Sequence, residues 1–308
     1  MLPKGIWKIE GSAKGPTVCI LGGVHGDELA GIEIVKKLLE YFELSEKESG
    51  LYHDDRIFGK IILGYGNMDA IEKGVRSACS PLDLNRMFQE KFLDTAVFDF
   101  DSAELRRARE LAPILRDVDY LMDLHATSSP SPAFIVTSCV DIEEILWVSR
   151  LIPVDYILLD SEGIYTSYLG LEKNGSTDDY VNRFGKGIGF CYETGFNGDV
   201  SVVNKGFETV LKYLSHVGAI GIRDMNNEEK IVKSVFDLVD IIVAKGDVFI
   251  YEKGMGQGWQ EIVPGQVVGS YGDREVEIVK NSGMYLFPTG ESRIKKGESL
   301  YYVARKIR

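Results

Sequence analysis

The chain has 308 residues, 44% hydrophobic and 27% charged, with a formal net charge of −12. That length predicts one large domain with a smaller second one. No apolar run approaches the roughly 20 residues that span a bilayer, and the net negative charge without a basic block argues against nucleic acid. Residues 1–16 carry no apolar core behind their lysines and do not read as a secretory signal. Cys19, Cys79, Cys139 and Cys191 show no C-x-x-C spacing. Free thiols and a reducing, cytoplasmic compartment are therefore expected.

Residues 17–21 (TVCIL) form an apolar, β-rich run ending at Gly22-Gly23, which reads as a buried strand entering a tight loop. From Asp27 the period changes. Ile32, Val35, Leu38, Leu39 and Phe42 recur at helical spacing, with Asp27 placed to cap the helix. The stretch 40–48 reads as its solvated end. A strand over 56–64 follows, then a loop over 98–101 and a helix over 102–115 capped by Ser102. Strands over 118–124, 133–137 and 155–159 come next, the last two separated by a helix over 141–148. A strand over 187–193 and a helix over 202–216 complete the series. This order predicts an α/β fold, a mostly parallel mixed sheet flanked by helices. After about residue 221, runs over 235–251, 263–268, 276–279 and 300–303 read as short strands between glycine-bearing turns. They predict a smaller all-β domain over 224–308, hinged at 224–230, beside an α/β domain over 1–223.

The histidines are His25, His53, His125 and His216. His25 and His125 each follow a predicted strand, and open α/β sheets bind ligands outside the carboxyl ends of their strands. In His25-Gly26-Asp27-Glu28 an imidazole and a carboxylate lie about one helical turn apart, within reach of one ion. His125 completes a His₂Glu set, a standard catalytic zinc arrangement that keeps one position open. Each piece has a plainer explanation: H-x-x-E recurs by chance, Asp27 caps a helix, and His125 is a satisfied histidine at a strand end. Glu193 ends an apolar strand, where loss of water raises a carboxyl pKa and suits it to proton transfer near neutrality. Asp83-Leu84-Asn85-Arg86 offers a planar guanidinium fork for a carboxylate, with Asn85 donors beside it. Taken alone, that segment reads by default as an ordinary turn with a surface arginine. His53, in an acidic, exposed loop with Asp54 and Asp55, and His216, near a helix end, read as structural or solvated.

GGVHGDE at 22–28, LDLNRMF at 82–88, DLHAT at 123–127 and YETG at 192–195, in this order, resemble the signature of the succinylglutamate desuccinylase/aspartoacylase family. That family is grouped with the zinc carboxypeptidases, and the resemblance covers roughly residues 17–200. It implies one Zn²⁺ per chain on His25, Glu28 and His125, with Glu193 as general base and acid. It further implies that Asn85 and Arg86 grip the substrate carboxylate, and that Asp83 accepts from the free ring nitrogen of His25. Arg76 would polarise the scissile carbonyl, its loop to Asn85 being longer than is usual in the family. Arg183, with Tyr180 as a hydroxyl partner, would hold a side-chain carboxylate of the substrate. The implied reaction is hydrolytic removal of the acyl group from a small anionic N-acyl amino acid. The β domain would help to cover the site, and a homo-oligomer is expected. The alternatives are a zinc carboxypeptidase acting on peptides, a deacylase of acylated diamino acids, and a non-catalytic metal-binding protein.

Overall fold

A computed structural model of the chain describes residues 2–95, 101–169, 174–221, 234–272 and 275–308. Its first half contains β1 (Ile6–Glu10), β2 (Ala13–Gly22), α1 (Leu29–Tyr41), β3 (Gly50–His53), β4 (Phe58–Tyr65), α2 (Met68–Lys73), α3 (Glu90–Leu93), α4 (Ala103–Arg116) and β5 (Tyr120–Thr127). Then come β6 (Phe134–Thr137), α5 (Ile142–Val148), β7 (Tyr156–Leu159), α6 (Thr177–Phe184), β8 (Ile188–Phe196) and α7 (Ser201–His216). The remainder is β9 (Ser234–Val243), β10 (Ile250–Tyr251), β11 (Gln260–Ile262), β12 (Val267–Tyr271), β13 (Glu275–Ile278), β14 (Gly283–Leu286) and β15 (Ser299–Lys306). No helix among the described residues is long and apolar enough to cross a membrane.

Strands β4, β2, β5 and β8 run parallel and adjacent at the centre of a twelve-stranded sheet. Beyond β8 the direction reverses, with β6 antiparallel to β8 and β7 and β9 parallel to β6. The central strands are apolar on both faces because both faces are covered. Val18 and Ile20 point into a core shared with α1, α5 and α7. Cys19 and Leu21, on the other face of the same strand, pack with α4 and α6. Each fully buried leucine or isoleucine in these layers contributes roughly 1.5–3 kcal/mol. The mixed α/β architecture with an all-β C-terminal region is thus the expected one.

Several expected elements differ in detail. The run 235–251 divides into β9 and β10, interrupted by a turn at Gly246-Asp247. Within 263–268 only the last two residues are in a strand, because Pro264-Gly265 turns the chain and Gly265 takes a φ of 88°. Helix α6 and strands β1, β3 and β14 were not legible as periodic runs, and His53 closes edge strand β3 rather than lying in a loop. The expected hinge at 224–230 and most of the expected loop at 98–101 lie outside the described residues. The sheet itself passes from the α/β region into the C-terminal region through β9, which pairs Val235 with Ile157 of β7. Beside it, β10, β12 and β13 form a separate small sheet.

Candidate active site

The site is assembled where β2, β5 and β8 end. After β2 the chain turns sharply, and the Glu28 N–H donates to the His25 carbonyl at 3.3 Å. Gly26 sits so close to α2 that a Cβ there would lie 2.2 Å from the Ala70 carbonyl carbon. Glu28, not Asp27, occupies the N-cap position of α1, and its side chain makes no cap hydrogen bond. The capping is done from a distance by Asn197, whose Oδ1 accepts from the Leu29 N–H at 2.9 Å while its Nδ2 donates to the Asp27 carbonyl at 2.8 Å. This frees the Glu28 carboxylate for the two imidazoles. Its Oε1 lies 2.7 Å from His25 Nδ1, and its Oε2 lies 2.9 Å from His125 Nδ1 and accepts from the Ala126 N–H at 3.0 Å.

His25, Glu28 and His125 are buried, and their ligand atoms lie within 4.8 Å of one another. Behind each imidazole stands a carboxylate: Asp83 Oδ1 is 3.1 Å from His25 Nε2, and Asp123 Oδ2 is 3.2 Å from His125 Nε2. Burial alone would raise the Glu28 carboxyl pKa, but the facing His25 and His125 rings hold it well below the usual range. Burial likewise opposes the charged form of both rings, yet Asp123 and Glu28 raise His125, and Asp83 and Glu28 raise His25. Two inward-facing ring nitrogens on one buried carboxylate, with His25 hydrogen-bonded from behind by Asp83 and His125 backed by the Asp123 charge, make a donor set that a divalent cation fits.

Arg76 reaches this cluster across its long loop. Its Nη1 donates to Glu28 Oε1 at 3.3 Å and its Nη2 to Asp83 Oδ2 at 3.2 Å. Burial pushes the Asp83 carboxyl up, but His25 and Arg76 outweigh it and hold the group well below its ordinary value. Asp83 also caps the short helical turn Leu84–Arg86, Oδ1 accepting from the Asn85 N–H at 2.8 Å. Arg86 donates to the Asn85 carbonyl at 2.6 Å, and its guanidinium lies 5.0 Å over the Tyr165 ring. Glu193 is the register partner of His125 across β5 and β8. Its Oε2 is shielded from solvent with no hydrogen-bond partner among the described residues. Burial, reinforced by the Glu28 charge and opposed by His125, raises its pKa to about 7.

Arg183 and Tyr180 are not brought to this cluster. Arg183 lies one turn after Asp179 on α6, pairs with it at 3.2 Å, and lines a cleft of about 610 Å³ with Gly187 and Ile188. That is the opposite end of β8 from Glu193. Tyr180 is 3% exposed, packed between Phe88 and Phe184. His53 pairs with Asp55 on the surface, and His216 donates to the Trp147 carbonyl at 2.8 Å. Sequence reasoning missed Asp123, Thr177, Tyr165 and Asn197. Asp123 was findable, since a residue two before His125 on a strand shares its face. The other three reach the site through tertiary contacts that leave no local pattern.

The sequence model of the succinylglutamate desuccinylase/aspartoacylase catalytic domain matches residues 14–201. The chain belongs to this family. An N-acyl-aromatic-L-amino acid amidohydrolase (carboxylate-forming) of Xenopus laevis is 31% identical over 116 residues, which cover 36% of this chain and 34% of that protein. A probable aspartoacylase of Nostoc is 33% identical over 117 residues, 36% of this chain and 35% of that protein. The match thus spans about a third of the length of these curated relatives. The crystal structure of a succinylglutamate desuccinylase/aspartoacylase from Rhodobacter sphaeroides superposes with a TM-score of 0.68 at 20% identity, covering 97% of this chain and 87% of that one. The ectoine utilization protein EutE of Ruegeria pomeroyi, in a product-bound structure, gives 0.70 at 17% identity, covering 97% and 88%. At these identities the two structures establish a shared fold.

Proposed function

We propose that the chain is a zinc-dependent amidohydrolase that removes the acyl group from a small N-acyl amino acid. The observation that carries this reading is the meeting of a buried His25–Glu28–His125 donor set with Glu193, the register partner of His125, whose Oε2 is shielded from solvent. His25, Glu28 and His125 would hold the ion, which when bound supplies Lewis-acid activation of water and of the scissile carbonyl. Glu193, with a pKa near 7, is suited to take the proton of the attacking water and pass it to the leaving nitrogen. Arg76 directs a fixed positive charge at the oxygen that becomes negative in the transition state. Asn85 and Arg86 hold the substrate carboxylate and fix the acyl group against Glu193. Residues 224–308 are proposed as the covering unit, and the four free thiols support a reducing, cytoplasmic location.

The test is the zinc content of the purified protein, followed by amine release from a panel. N-acetyl-aspartate, N-succinyl-glutamate, an N-acyl aromatic amino acid, an acylated diamino acid and a blocked dipeptide make up that panel. About one zinc per chain, with chelator-sensitive release from an acyl amino acid, is the expected result. Cleavage of the dipeptide alone would reassign the chain to peptide hydrolysis, and zinc-free, inactive protein after reconstitution would overturn the enzyme reading.

A further inference from the structure

Thr177 is fully buried at the first position of α6 and touches both halves of the site. Its Oγ1 donates to Asp123 Oδ2 at 2.5 Å, the same oxygen that lies 3.2 Å from His125 Nε2 as a charge contact without hydrogen-bond alignment. Its backbone N–H donates to Asn85 Oδ1 at 3.1 Å. Packing does not account for a hydroxyl here, because a buried hydroxyl costs free energy unless it is bonded and a valine would fill nearly the same space. Asp123 is also fully buried, and its other oxygen, Oδ1, has no hydrogen-bond partner among the described residues. The Thr177 hydroxyl is therefore what fixes which carboxylate oxygen faces His125.

These contacts close a ring. Glu28 meets His25, His25 meets Asp83, and Asp83 Oδ1 accepts from the Asn85 N–H. Asn85 Oδ1 accepts from Thr177, Thr177 donates to Asp123, and Asp123 backs His125, which returns to Glu28. Every member but Thr177 is a candidate ligand, the direct support of a ligand, or the substrate clamp. With Asn85 Oδ1 taken by the Thr177 N–H, the NH₂, which only donates, is the side-chain group left to Asn85 for meeting a substrate carboxylate. With Asp123 Oδ2 anchored, a negative charge is held 3.2 Å from His125 Nε2, on the far side of the ring from the Nδ1 that faces Glu28.

We infer that Thr177 is a positioning residue that locks the metal ligand His125 in register with the substrate clamp Asn85. The inference rests on the metal-hydrolase reading, and its test separates the two. Zinc affinity is measured by chelator competition for the wild type, Thr177→Val and Thr177→Ser, together with KM and kcat at saturating zinc. Thr177→Val is expected to weaken zinc binding about tenfold, the scale of losing an outer partner of a ligand histidine. Thr177→Ser, which restores the hydroxyl, is expected to restore the affinity. KM should stay near the wild-type value in both, because the backbone N–H to Asn85 remains. Thr177→Ala replaces the valine variant if that protein does not fold. Equal zinc affinity in the hydroxyl-free and hydroxyl-bearing variants would overturn the inference while leaving the metal reading intact. A wild type that binds no zinc would overturn both.

Discussion

Burial raises the carboxyl pKa of both Glu28 and Glu193, yet their neighbours send them in opposite directions. Glu28 faces two imidazoles, whose attraction outweighs the loss of water and keeps it ionised. Glu193 Oε2 has no hydrogen-bond partner among the described residues, so the loss of water prevails and its pKa climbs to about 7. One carboxylate is thereby fitted to bind a cation and the other to exchange a proton. Glu193→Gln is expected to lower kcat by about 10²–10⁴-fold with zinc content unchanged; loss of the metal would show that Glu193 has a different role. The base must be ionised to act. Wild-type kcat/KM should therefore rise with pH as Glu193 ionises and then level off, with the midpoint drawn below 7 by the charge of the bound cation, and a profile flat over the whole acidic range would contradict the assignment. The imidazoles supply a second dependence. Their facing carboxylates favour the protonated rings, and a metal ligand must be deprotonated, so binding releases protons. Zinc affinity should therefore fall as pH is lowered, with proton release measurable by calorimetry in buffers of different ionisation enthalpy.

Element by element, the site depends on α1 lying directly against the sheet. Gly31 makes this possible, since a Cβ there would sit 2.6 Å from the Leu124 carbonyl oxygen, the residue before His125. Helix α1 then starts without a cap of its own, and Asn197 supplies it from just beyond β8. Asn197→Ala should cost about 0.5–2 kcal/mol of stability, the range for losing a cap. It should also weaken zinc binding, because the same side chain holds the Asp27 carbonyl between the two candidate ligands His25 and Glu28. A drop in melting temperature with no change in zinc affinity would limit Asn197 to a capping role. The contrast between Asp27 and Asn197 explains what was legible in sequence. Strands such as β2 and β5 and helices such as α4 and α7 announce themselves through local period, and His25, Glu28, His125 and Glu193 fall at their ends. Asp27 satisfied the local rule for a cap, but the cap came from a residue far along the chain. Arg183 and Tyr180 are implied by the resemblance alone, which cannot register that α6 runs from Thr177 beside Asn85 to Arg183 in the cleft near Gly187. Short edge strands such as β3 carry too little pattern to be seen.

On the scale of the whole molecule, the C-terminal region is fastened to the α/β core by more than its strand pairing. Trp259 stacks on Tyr156 at 4.2 Å between ring centroids and meets Phe134 edge-on at 4.9 Å. Tyr302 stacks on Tyr165 at 4.9 Å, the same ring that lies beneath the Arg86 guanidinium. Arg293 reaches Asp27, between the candidate ligands His25 and Glu28, at 3.5 Å. Leu158 of β7 is fully buried and packs in a cluster with Phe236, Leu238, Leu286 and Tyr302, all contributed by the C-terminal strands. A chain ended at Gly221 would lose β9 from the flank of β7, exposing an apolar strand edge of the kind that pairs with other chains. It would also forfeit roughly 1.5–3 kcal/mol for each large apolar side chain left uncovered, against a typical total stability of only about 5–15 kcal/mol. The expected outcome is an aggregated or unfolded fragment by gel filtration and circular dichroism. A monodisperse fragment that folds and retains zinc would show instead that the α/β part stands alone and that the C-terminal strands serve only to cover the site.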